Sequence, residues 1–214
     1  MNKHEVQKKY DKFAPWYDLL EEVQELLGLR KLRHRLVQRA SGKVLEVAVG
    51  TGKNLRYYPK SCEIAGGDLS EAMMKIARKR ATHMGLSLPF LAIDAESLPF
   101  HDKSFDTIVS SLSLCTFSDP IAALREMARV CRKDGHILLL EHGRSDHKWL
   151  GRWQDQRVDR HAKPLGCYWN REPLELVHQA GLKLLRGSRI FFGVFHVLEA
   201  TPNGAAVEQH NKKS

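Results

Sequence analysis

Residues 43–55 of the chain are KVLEVAVGTGKNL, and this stretch decides the fold. Its first part is rich in valine and predicts a buried β-strand over residues 43–49. Gly50 and Gly52 follow, and glycine lets the backbone turn sharply and pass close to a ligand because it has no Cβ. A short helical run containing Leu55 comes next. A buried strand that turns through glycine into a helix is typical of α/β proteins with a parallel sheet.

Strand-like and helix-like runs alternate on the carboxyl side of this turn as far as Ala200. Ser70 and Asp119 precede two of the helical runs and are suited to cap them, because their side-chain oxygens accept free amide protons. The alternation predicts a parallel sheet with helices on both faces. Further strands are expected at residues 62–68, 89–96, 105–114, 136–141, 182–185 and 190–198, and helices at residues 70–84, 119–128 and 170–181.

Size and composition favour one compact domain, because 214 residues of which 43% are apolar can bury a full core. The first residues, MNKHEVQKKYDKF, are charged and lack the apolar centre of a secretion signal. No run approaches the roughly 18–20 apolar residues that a membrane-spanning helix needs. We therefore expect a cytoplasmic protein, at most peripheral at the inner face of a membrane.

The net charge of +9 is concentrated in part between Arg30 and Lys43, where six Lys or Arg residues occur without an acidic one. Apolar residues at helical spacing interleave with them, which leaves two interpretations. A basic amphipathic helix can lie on anionic lipid or approach nucleic acid. Alternatively, the charges form a solvated outer face over an ordinary buried stripe, which is the more common arrangement. The apolar positions are Leu29, Leu32, Leu36 and Val37.

Four cysteines lie far apart in the sequence, and none forms a C-x-x-C pair. Zinc ribbons and thioredoxin-type sites need close pairs, so neither is expected. His161 and Cys167 also lack a close ligand pair, and no metal is expected. Reduced, mostly buried thiols are the expectation for Cys62, Cys115, Cys131 and Cys167.

Acidic residues stand where three successive strands are expected to end. Glu46 precedes the glycine turn, Asp68 comes sixteen residues after Gly52, and Asp94-Ala95-Glu96 stands at the end of the third strand. Ligands of open α/β sheets bind beyond the carboxyl ends of the strands, where a carboxylate can accept hydrogen bonds from ribose hydroxyls. We assign ribose to Asp68 and the amino edge of adenine to Asp94-Ala95, with Met73 covering the adenine face. Together these residues predict an adenosine site.

The glycine turn distinguishes between two adenosine-containing cofactors. Dinucleotide sites use G-x-G-x-x-G, in which the third glycine allows close packing under a pyrophosphate. Leu55 occupies the place of that third glycine. Glu46 would repel a pyrophosphate but can hold the ammonium group of S-adenosylmethionine (SAM). The sequence therefore favours SAM.

At this point the chain resembles the class I SAM-dependent methyltransferases, and the resemblance extends from about Tyr10 to Ala200. LEVAVGTG (45–52) resembles the E/D-x-G-x-G-x-G motif, with Ala48 in place of its first glycine. GDLSEAMMKIAR resembles the ribose segment, and DAESLPFHDKSFDTIVSSLSL resembles the adenine segment and fourth strand. YDKFAPWYD is similar to the start of the ubiquinone/menaquinone C-methyltransferases and bacterial phospholipid N-methyltransferases. A closer likeness, to membrane-associated thiol methyltransferase-like proteins, rests on GTGKNLRYYP, SLCT, LLLEHG and GCYWNREP.

The resemblance implies a Rossmann-like, largely parallel seven-stranded sheet with an antiparallel last strand and helices on both faces. It implies an N-terminal helical lid over residues 1–42, a SAM-binding methyltransferase domain over residues 43–200 and a flexible tail over residues 201–214. The expected cofactor-binding residues are Glu46, Ala48, Gly50, Gly52, Asn54, Asp68, Leu69, Met73, Asp94, Ala95 and Ser111.

Catalysis requires mainly that an acceptor lone pair be aligned with the S–CH₃ axis of SAM, because the methyl group is already activated. A thiol, hydroxyl or acidic carbon must also lose a proton. His142, Tyr17 and Tyr10 are the candidate catalytic residues. Trp16 and Phe13 are expected to line the acceptor pocket or to pack the lid.

A small hydrophobic or lipid-like acceptor (a thiol, a quinone precursor or a phospholipid headgroup) is the first hypothesis, with an anionic membrane surface as a partner. A nucleic-acid (RNA) methyltransferase is the alternative, favoured by charge alone. Against it, the fourth strand ends in Ser-Leu-Ser-Leu and not in the Asn/Asp-Pro-Pro-Tyr/Phe type of sequence used on base amino groups. A non-catalytic SAM-binding protein is a further alternative, because Ala48 departs from the motif. The sequence does not indicate an oligomeric state.

Overall fold

The computed structural model describes residues 3–202 and begins with helices. Helix α1 (Lys3–Gln24) leads through a π-helical turn (Glu25–Leu29) into α2 (Arg30–Val37). The chain bends inside this turn at Gly28, whose φ of 129° is open to glycine but strained for other residues. Of the tail expected over residues 201–214, Thr201 instead ends the last strand, and residues 203–214 lie outside the described residues.

The apolar stripe of the basic segment is buried inside the protein. Leu29, Leu32, Leu36 and Val37 pack in one cluster with residues of the central strands. The interpretation as a solvated face over a buried stripe is therefore confirmed for α2, and its apolar face does not lie on lipid. Arg33 is the exception among the charges, because its side chain is buried.

Seven strands form one sheet in the order β3-β2-β1-β4-β5-β7-β6. The pairs from β3 to β5 are parallel, whereas β7 runs antiparallel to both of its neighbours. This confirms the seven-stranded, largely parallel sheet with an antiparallel last strand. The strands are β1 (Lys43–Val47), β2 (Glu63–Asp68), β3 (Phe90–Ala92), β4 (Phe105–Ser111), β5 (Cys131–His142), β6 (Lys183–Ile190) and β7 (Phe195–Thr201).

Helices cover both faces of the sheet, as the alternation of the strand residues requires. Leu45, Ile108 and Ile137 pack in one apolar cluster with residues of α4 and α6, and their neighbours Val44 and Val109 pack in a second with α2 and α3. The remaining helices are α3 (Glu71–His83), α4 (Pro120–Val130), α5 (Lys148–Leu165) and α6 (Pro173–Gln179), with a 3₁₀ turn at Leu55–Tyr57.

Several strands are shorter than the sequence pattern suggests. β1 ends at Val47 because Ala48 has a φ of 57°, and β4 ends at Ser111 because Leu112 has a φ of 56°. A left-handed residue cannot continue a pleated strand, so both boundaries were predicted too late. The third strand is also shorter, and β5 is longer because it begins at Cys131.

Helix α5 was not predicted, and its composition explains why. Its inward positions recur at helical spacing but are occupied by Gly151, Gln154, Val158 and Ala162, of which only one is a large apolar residue. Two tryptophans on α5, Trp149 and Trp153, are instead exposed. The apolar period that identifies a helix in a sequence is therefore missing. Among the helices of the described residues, none is both long and apolar enough to cross a membrane.

Candidate functional site

A cleft of about 810 Å³, counting space open to solvent, lies at the carboxyl ends of β1 to β4. The reversal of strand order on either side of β1 opens the sheet there. Residues of α1 close the cleft from above, among them Lys3, Tyr10 and Tyr17. Eight of the predicted cofactor-binding residues line it: Ala48, Gly50, Asp68, Leu69, Met73, Asp94, Ala95 and Ser111.

Asp68 holds the centre of this cleft. Its carboxylate accepts hydrogen bonds from the backbone N–H of Gly50 and of Ser70, each at 2.8 Å. Burial raises the pKa of Asp68 above its ordinary value. Ser70 caps α3 as expected, because its hydroxyl accepts from the Met73 N–H at 3.2 Å. The glycine turn and the start of α3 are therefore fixed to the same side chain.

Asp94 is engaged by a residue that the sequence did not single out. The Lys3 Nζ lies 2.7 Å from Asp94 Oδ2 and 2.9 Å from Glu96 Oε2. These hydrogen bonds raise the pKa of Lys3. The first turn of α1 thus reaches across the cleft mouth. No sequence signal distinguishes Lys3 from the other lysines near the N-terminus.

A smaller recess adjoins the cleft. Two further predicted cofactor-binding residues, Glu46 and Asn54, line it. Glu46 accepts from Asn54 Nδ2 at 2.8 Å and from the Tyr58 hydroxyl at 2.9 Å. Burial raises the pKa of Glu46 to about 7 despite these bonds. Ala48, Gly50, Ser111 and Tyr17 are shared between the recess and the cleft, so the two spaces are neighbours.

Arg33 and Lys53 add positive charge to this recess. Arg33 donates to Glu25 Oε1 at 2.7 Å and to Asn54 Oδ1 at 3.2 Å. Neither residue was predicted from the sequence. Arg33 lies in a run of charges that was expected to be solvated. Its signal was the position alone: it directly follows Leu32, on the edge of the buried stripe of α2.

The three positions of the glycine turn have different roles. Ala48, Gly50 and Gly52 all have positive φ, at 57°, 55° and 76°. A Cβ on Gly50 would meet no atom within 4 Å, whereas one on Gly52 would lie 2.8 Å from Leu55 Cδ1 and 3.1 Å from Ala77 Cβ. Gly52 lines neither the cleft nor the recess. Gly52 lets α3 pack against the turn, and its place among the cofactor contacts stays a prediction.

The candidate catalytic residues are divided between two places. Tyr10 and Tyr17 line the cleft, with ring centroids 6.1 Å apart. His142 lines neither space, and its Nε2 lies 3.3 Å from Cys167 Sγ. Trp16 is 63% exposed and is not among the residues that line the cleft either. Phe13 is partly buried and is also absent from the cleft wall.

Cys115, His142 and Cys167 form a cluster that spacing in the sequence concealed. The hydrogen bond from the Cys115 thiol and the nearby His142 lower the pKa of Cys167. The same hydrogen bond and burial raise the pKa of Cys115. Next to the cluster, the buried Glu141 carboxylate accepts from the backbone N–H of Ser113 at 2.9 Å and of Leu114 at 3.1 Å. Burial raises the pKa of Glu141 to about 7.

The side chains present fit SAM. Asp68 offers carboxylate oxygens to the ribose side of the cleft, and Leu69, Met73 and Ile93 supply apolar walls for adenine. The recess has a carboxylate, Glu46, for an ammonium group and the cations of Arg33 and Lys53 for a carboxylate. The methyl group of Ala48 lies at the junction of the two spaces.

Comparison with known proteins agrees with this geometry. Residues 45–139 match a family model described as a methyltransferase domain. The chain is 30% identical over 215 residues to "Methyltransferase OMS1, mitochondrial" of Saccharomyces cerevisiae, covering 91% of this chain and 46% of that relative. It is 34% identical over 139 residues to the phosphatidylethanolamine N-methyltransferase of Cereibacter sphaeroides, covering 64% of this chain and 68% of that relative. The chain thus spans about half the length of the first and about two thirds of the second.

Solved structures show the same fold. A SAM-dependent methyltransferase from Thermotoga maritima superimposes with a TM-score of 0.69 at 24% identity, covering 92% of this chain and 99% of that one.

Proposed function

Because the chain belongs to the class I SAM-dependent methyltransferase family, we propose that it transfers a methyl group from SAM to a small hydrophobic or lipid-like acceptor. The observation that carries the proposal is the convergence of Asp68, Asp94 and Glu46 on two adjoining spaces at the carboxyl edge of the sheet. Three carboxylates in that arrangement suit ribose, adenine and an ammonium group respectively.

SAM supplies, when bound, a methyl group on a sulfonium that is already activated for transfer. Asp68 accepts hydrogen bonds from the ribose hydroxyls and, through Gly50, keeps the glycine turn in place. Glu46 holds the ammonium group, while Arg33 and Lys53 neutralise the carboxylate. Gly50, Asn54 and Ala95 contribute backbone or amide contacts at the edges of the two spaces.

The protein's contribution to catalysis is chiefly positioning. Correct alignment of two reactants supplies roughly 7–11 kcal/mol of barrier reduction. Tyr10 and Tyr17 line the cleft from α1 and are the candidates for orienting an acceptor or receiving its proton. His142 remains a candidate base only if the acceptor approaches from the side of Cys167. Helix α1 covers the cleft, which supports the proposed lid function of residues 1–42.

An apolar tip on the surface supports a lipid-like acceptor. We define the tip as Leu26, Leu27, Phe191 and Phe192. The first two are 68% and 71% exposed, and Phe192 is 66% exposed. The two segments are neighbours, since a Cβ on Gly28 would lie 3.0 Å from Phe191 Cζ. Exposed apolar groups beside basic side chains such as Arg30 are typical of proteins that bind anionic membrane surfaces. The Cereibacter relative is named for a phospholipid headgroup, which agrees with this assignment.

The cofactor is tested by calorimetric titration with SAM and S-adenosylhomocysteine, with NAD as the control ligand. We expect micromolar binding of the first two and none of NAD. Asp68→Asn should weaken SAM binding at least about tenfold, because hydrogen bonds to a charged group contribute about 1.5–3 kcal/mol each. Asp134→Asn, an exposed carboxylate at the start of β5, is the matched control and should bind normally. Unchanged affinity of a folded Asp68→Asn variant would exclude the adenosine site described above.

The acceptor side is tested by sedimentation with anionic phospholipid vesicles. Leu27→Ser combined with Phe192→Ser should reduce the bound fraction, whereas Leu86→Ser, an exposed leucine outside the tip, should not. Equal vesicle binding by the wild-type protein, the Leu27→Ser/Phe192→Ser double variant and Leu86→Ser would exclude the tip as a membrane contact. Tighter binding to transfer RNA than to vesicles at the same salt concentration would favour the nucleic-acid alternative.

A further inference from the structure

Three segments bring two thiols and an imidazole together beside the cleft. Cys115 lies in the loop after β4, His142 ends β5, and Cys167 follows α5. Their ligand atoms all lie within 4.8 Å of one another, and Cys167 Sγ is 3.3 Å from His142 Nε2. Both cysteines are buried, and all four cysteines of the chain are free. Of the described residues, this is the one group of three or more such ligands close enough to share an ion.

The spacing of these atoms agrees with tetrahedral zinc. Zinc–sulfur bonds of about 2.3 Å and zinc–nitrogen bonds of about 2.0–2.1 Å place neighbouring ligand atoms about 3.5–3.8 Å apart. The measured Sγ–Nε2 distance of 3.3 Å needs only a small expansion to reach that value. Two sulfurs and an imidazole nitrogen are also the donor set that zinc prefers, whereas calcium and magnesium require oxygen.

His161 on α5 is the candidate for a fourth ligand, and it must move toward the ion, because it does not belong to the group whose ligand atoms all lie within 4.8 Å of one another. Its ring stacks on Trp169 with centroids 3.9 Å apart and planes 10° apart, which fixes its orientation. A thiol pair destined for a disulfide needs no histidine, yet His142 Nε2 lies 3.3 Å from Cys167 Sγ. This histidine therefore favours a metal over a disulfide.

We propose that Cys115, His142 and Cys167 bind one zinc ion, with His161 completing four-coordinate geometry. The site is structural, and with zinc bound His142 is a metal ligand and not a base, which leaves Tyr10 and Tyr17 as the candidate catalytic residues. Zinc bound there would tie the carboxyl end of α5 and the segment after it to the ends of β4 and β5. That segment already contacts the loop after β4, because Tyr168 N–H donates to the Cys115 carbonyl at 2.9 Å and Arg171 donates to the Phe117 carbonyl at 2.8 Å.

The consequence for the cleft is direct. Thr116, Phe117 and Ser118 line it and follow Cys115 immediately in the chain. A metal at Cys115 would hold this wall of the cleft in place. Loss of the metal should therefore loosen this wall of the cleft.

The test uses the full chain, reduced and stripped with a chelator, and titrates it with Co²⁺ as a spectroscopic probe for zinc. We expect saturation at one equivalent, with thiolate-to-metal charge-transfer absorption and the intense visible bands of a tetrahedral site. Zinc should displace the cobalt and raise the melting temperature. Cys115→Ser and Cys167→Ser should each weaken metal binding by more than the roughly 10–100-fold that loss of an outer-shell partner causes. Cys62→Ser, which changes a thiol distant in sequence and outside the cluster, should leave binding unchanged.

The wild-type titration decides the matter even if a cysteine variant fails to fold. Absence of a saturating cobalt spectrum in folded, reduced wild-type protein would overturn the proposal. A tetrahedral spectrum without sulfur charge-transfer absorption would also overturn it, since the ion would then lie elsewhere. His161→Asn separates the fourth ligand from the other three: weakened binding supports His161 as a ligand, and unchanged binding removes it. A Cys115–Cys167 disulfide in protein that takes up no cobalt would reassign the pair to thiol–disulfide exchange.

Discussion

The backbone at Ala48 allows a stability prediction whose sign is unusual. Most substitutions destabilise a protein, but Ala48→Gly should stabilise this one. Ala48 has a φ of 57°, in the left-handed region. An alanine there costs about 1–2 kcal/mol, because its Cβ approaches the following carbonyl oxygen. Glycine removes that strain but gives the unfolded chain more freedom, which offsets about 0.4–1 kcal/mol. The net gain is therefore about 0.5–1 kcal/mol.

Gly50 supplies the matched control, because its φ of 55° is nearly the same. A Cβ there would meet nothing within 4 Å, so Gly50→Ala introduces backbone strain without a clash. It should destabilise by an amount similar to the gain at Ala48. The opposite signs of the two substitutions identify backbone conformation, rather than packing, as their cause.

The assay is urea unfolding followed by circular dichroism at one pH, with the midpoint and slope fitted together. For a chain of this size, 1 kcal/mol corresponds to a shift in melting temperature of about 2–4 °C, so thermal scans provide a second measure. A loss of stability in Ala48→Gly with an unchanged unfolding slope would refute the argument. So would equal effects of the same sign at Ala48 and Gly50.

Three further predictions concern buried groups around the cleft. Glu46 has a pKa of about 7 in the folded protein against an ordinary value of 4.5, so the native state binds more protons and stability falls as pH rises between these values. Glu46→Gln should abolish about 3 kcal/mol of that fall. The measurement is the free energy of unfolding of both proteins as a function of pH. Parallel pH profiles would contradict the prediction. Glu141→Ala leaves two buried N–H groups without their acceptor and should cost about 2–6 kcal/mol in urea unfolding, whereas Glu141→Gln retains an acceptor oxygen and should cost less than half as much. Gly52→Ala adds strain at a φ of 76° to a contact of 2.8 Å with Leu55 and should destabilise by about 2–5 kcal/mol, well beyond the effect at Gly50.

The parallel α/β architecture and the position of the cleft were predictable from the sequence, for a physical reason. Parallel strands buried on both faces are short apolar runs, and their carboxyl ends must meet at one edge. Asp68 and Asp94 therefore converge in the cleft as expected. Helix α5 was not predictable from apolar periodicity, because its inward face is built from small and polar residues.

Neither the contacts of α1 nor the cysteine cluster was predictable from the sequence, because both depend on tertiary structure. Cys115 and Cys167 are 52 residues apart in the sequence and meet only because the segment after α5 folds back onto the end of β4. No spacing rule for metal ligands detects such a pair. Similarly, Lys3 is one lysine among several until α1 is placed across the cleft.

The ammonium group of Lys3 competes with the cofactor for the carboxylate of Asp94. The carboxylate that we assign to adenine is already satisfied by an ammonium group of the same chain. A nucleoside that binds must displace the Lys3 ammonium group from Asp94. When that ammonium group returns to Asp94, it favours release of the nucleoside. The pair is partly exposed to solvent, so dissolved ions weaken it. Salt should therefore speed the exchange of cofactor at the mouth of the cleft. The first turn of α1 thus controls cofactor binding and release to a degree that depends on ionic strength.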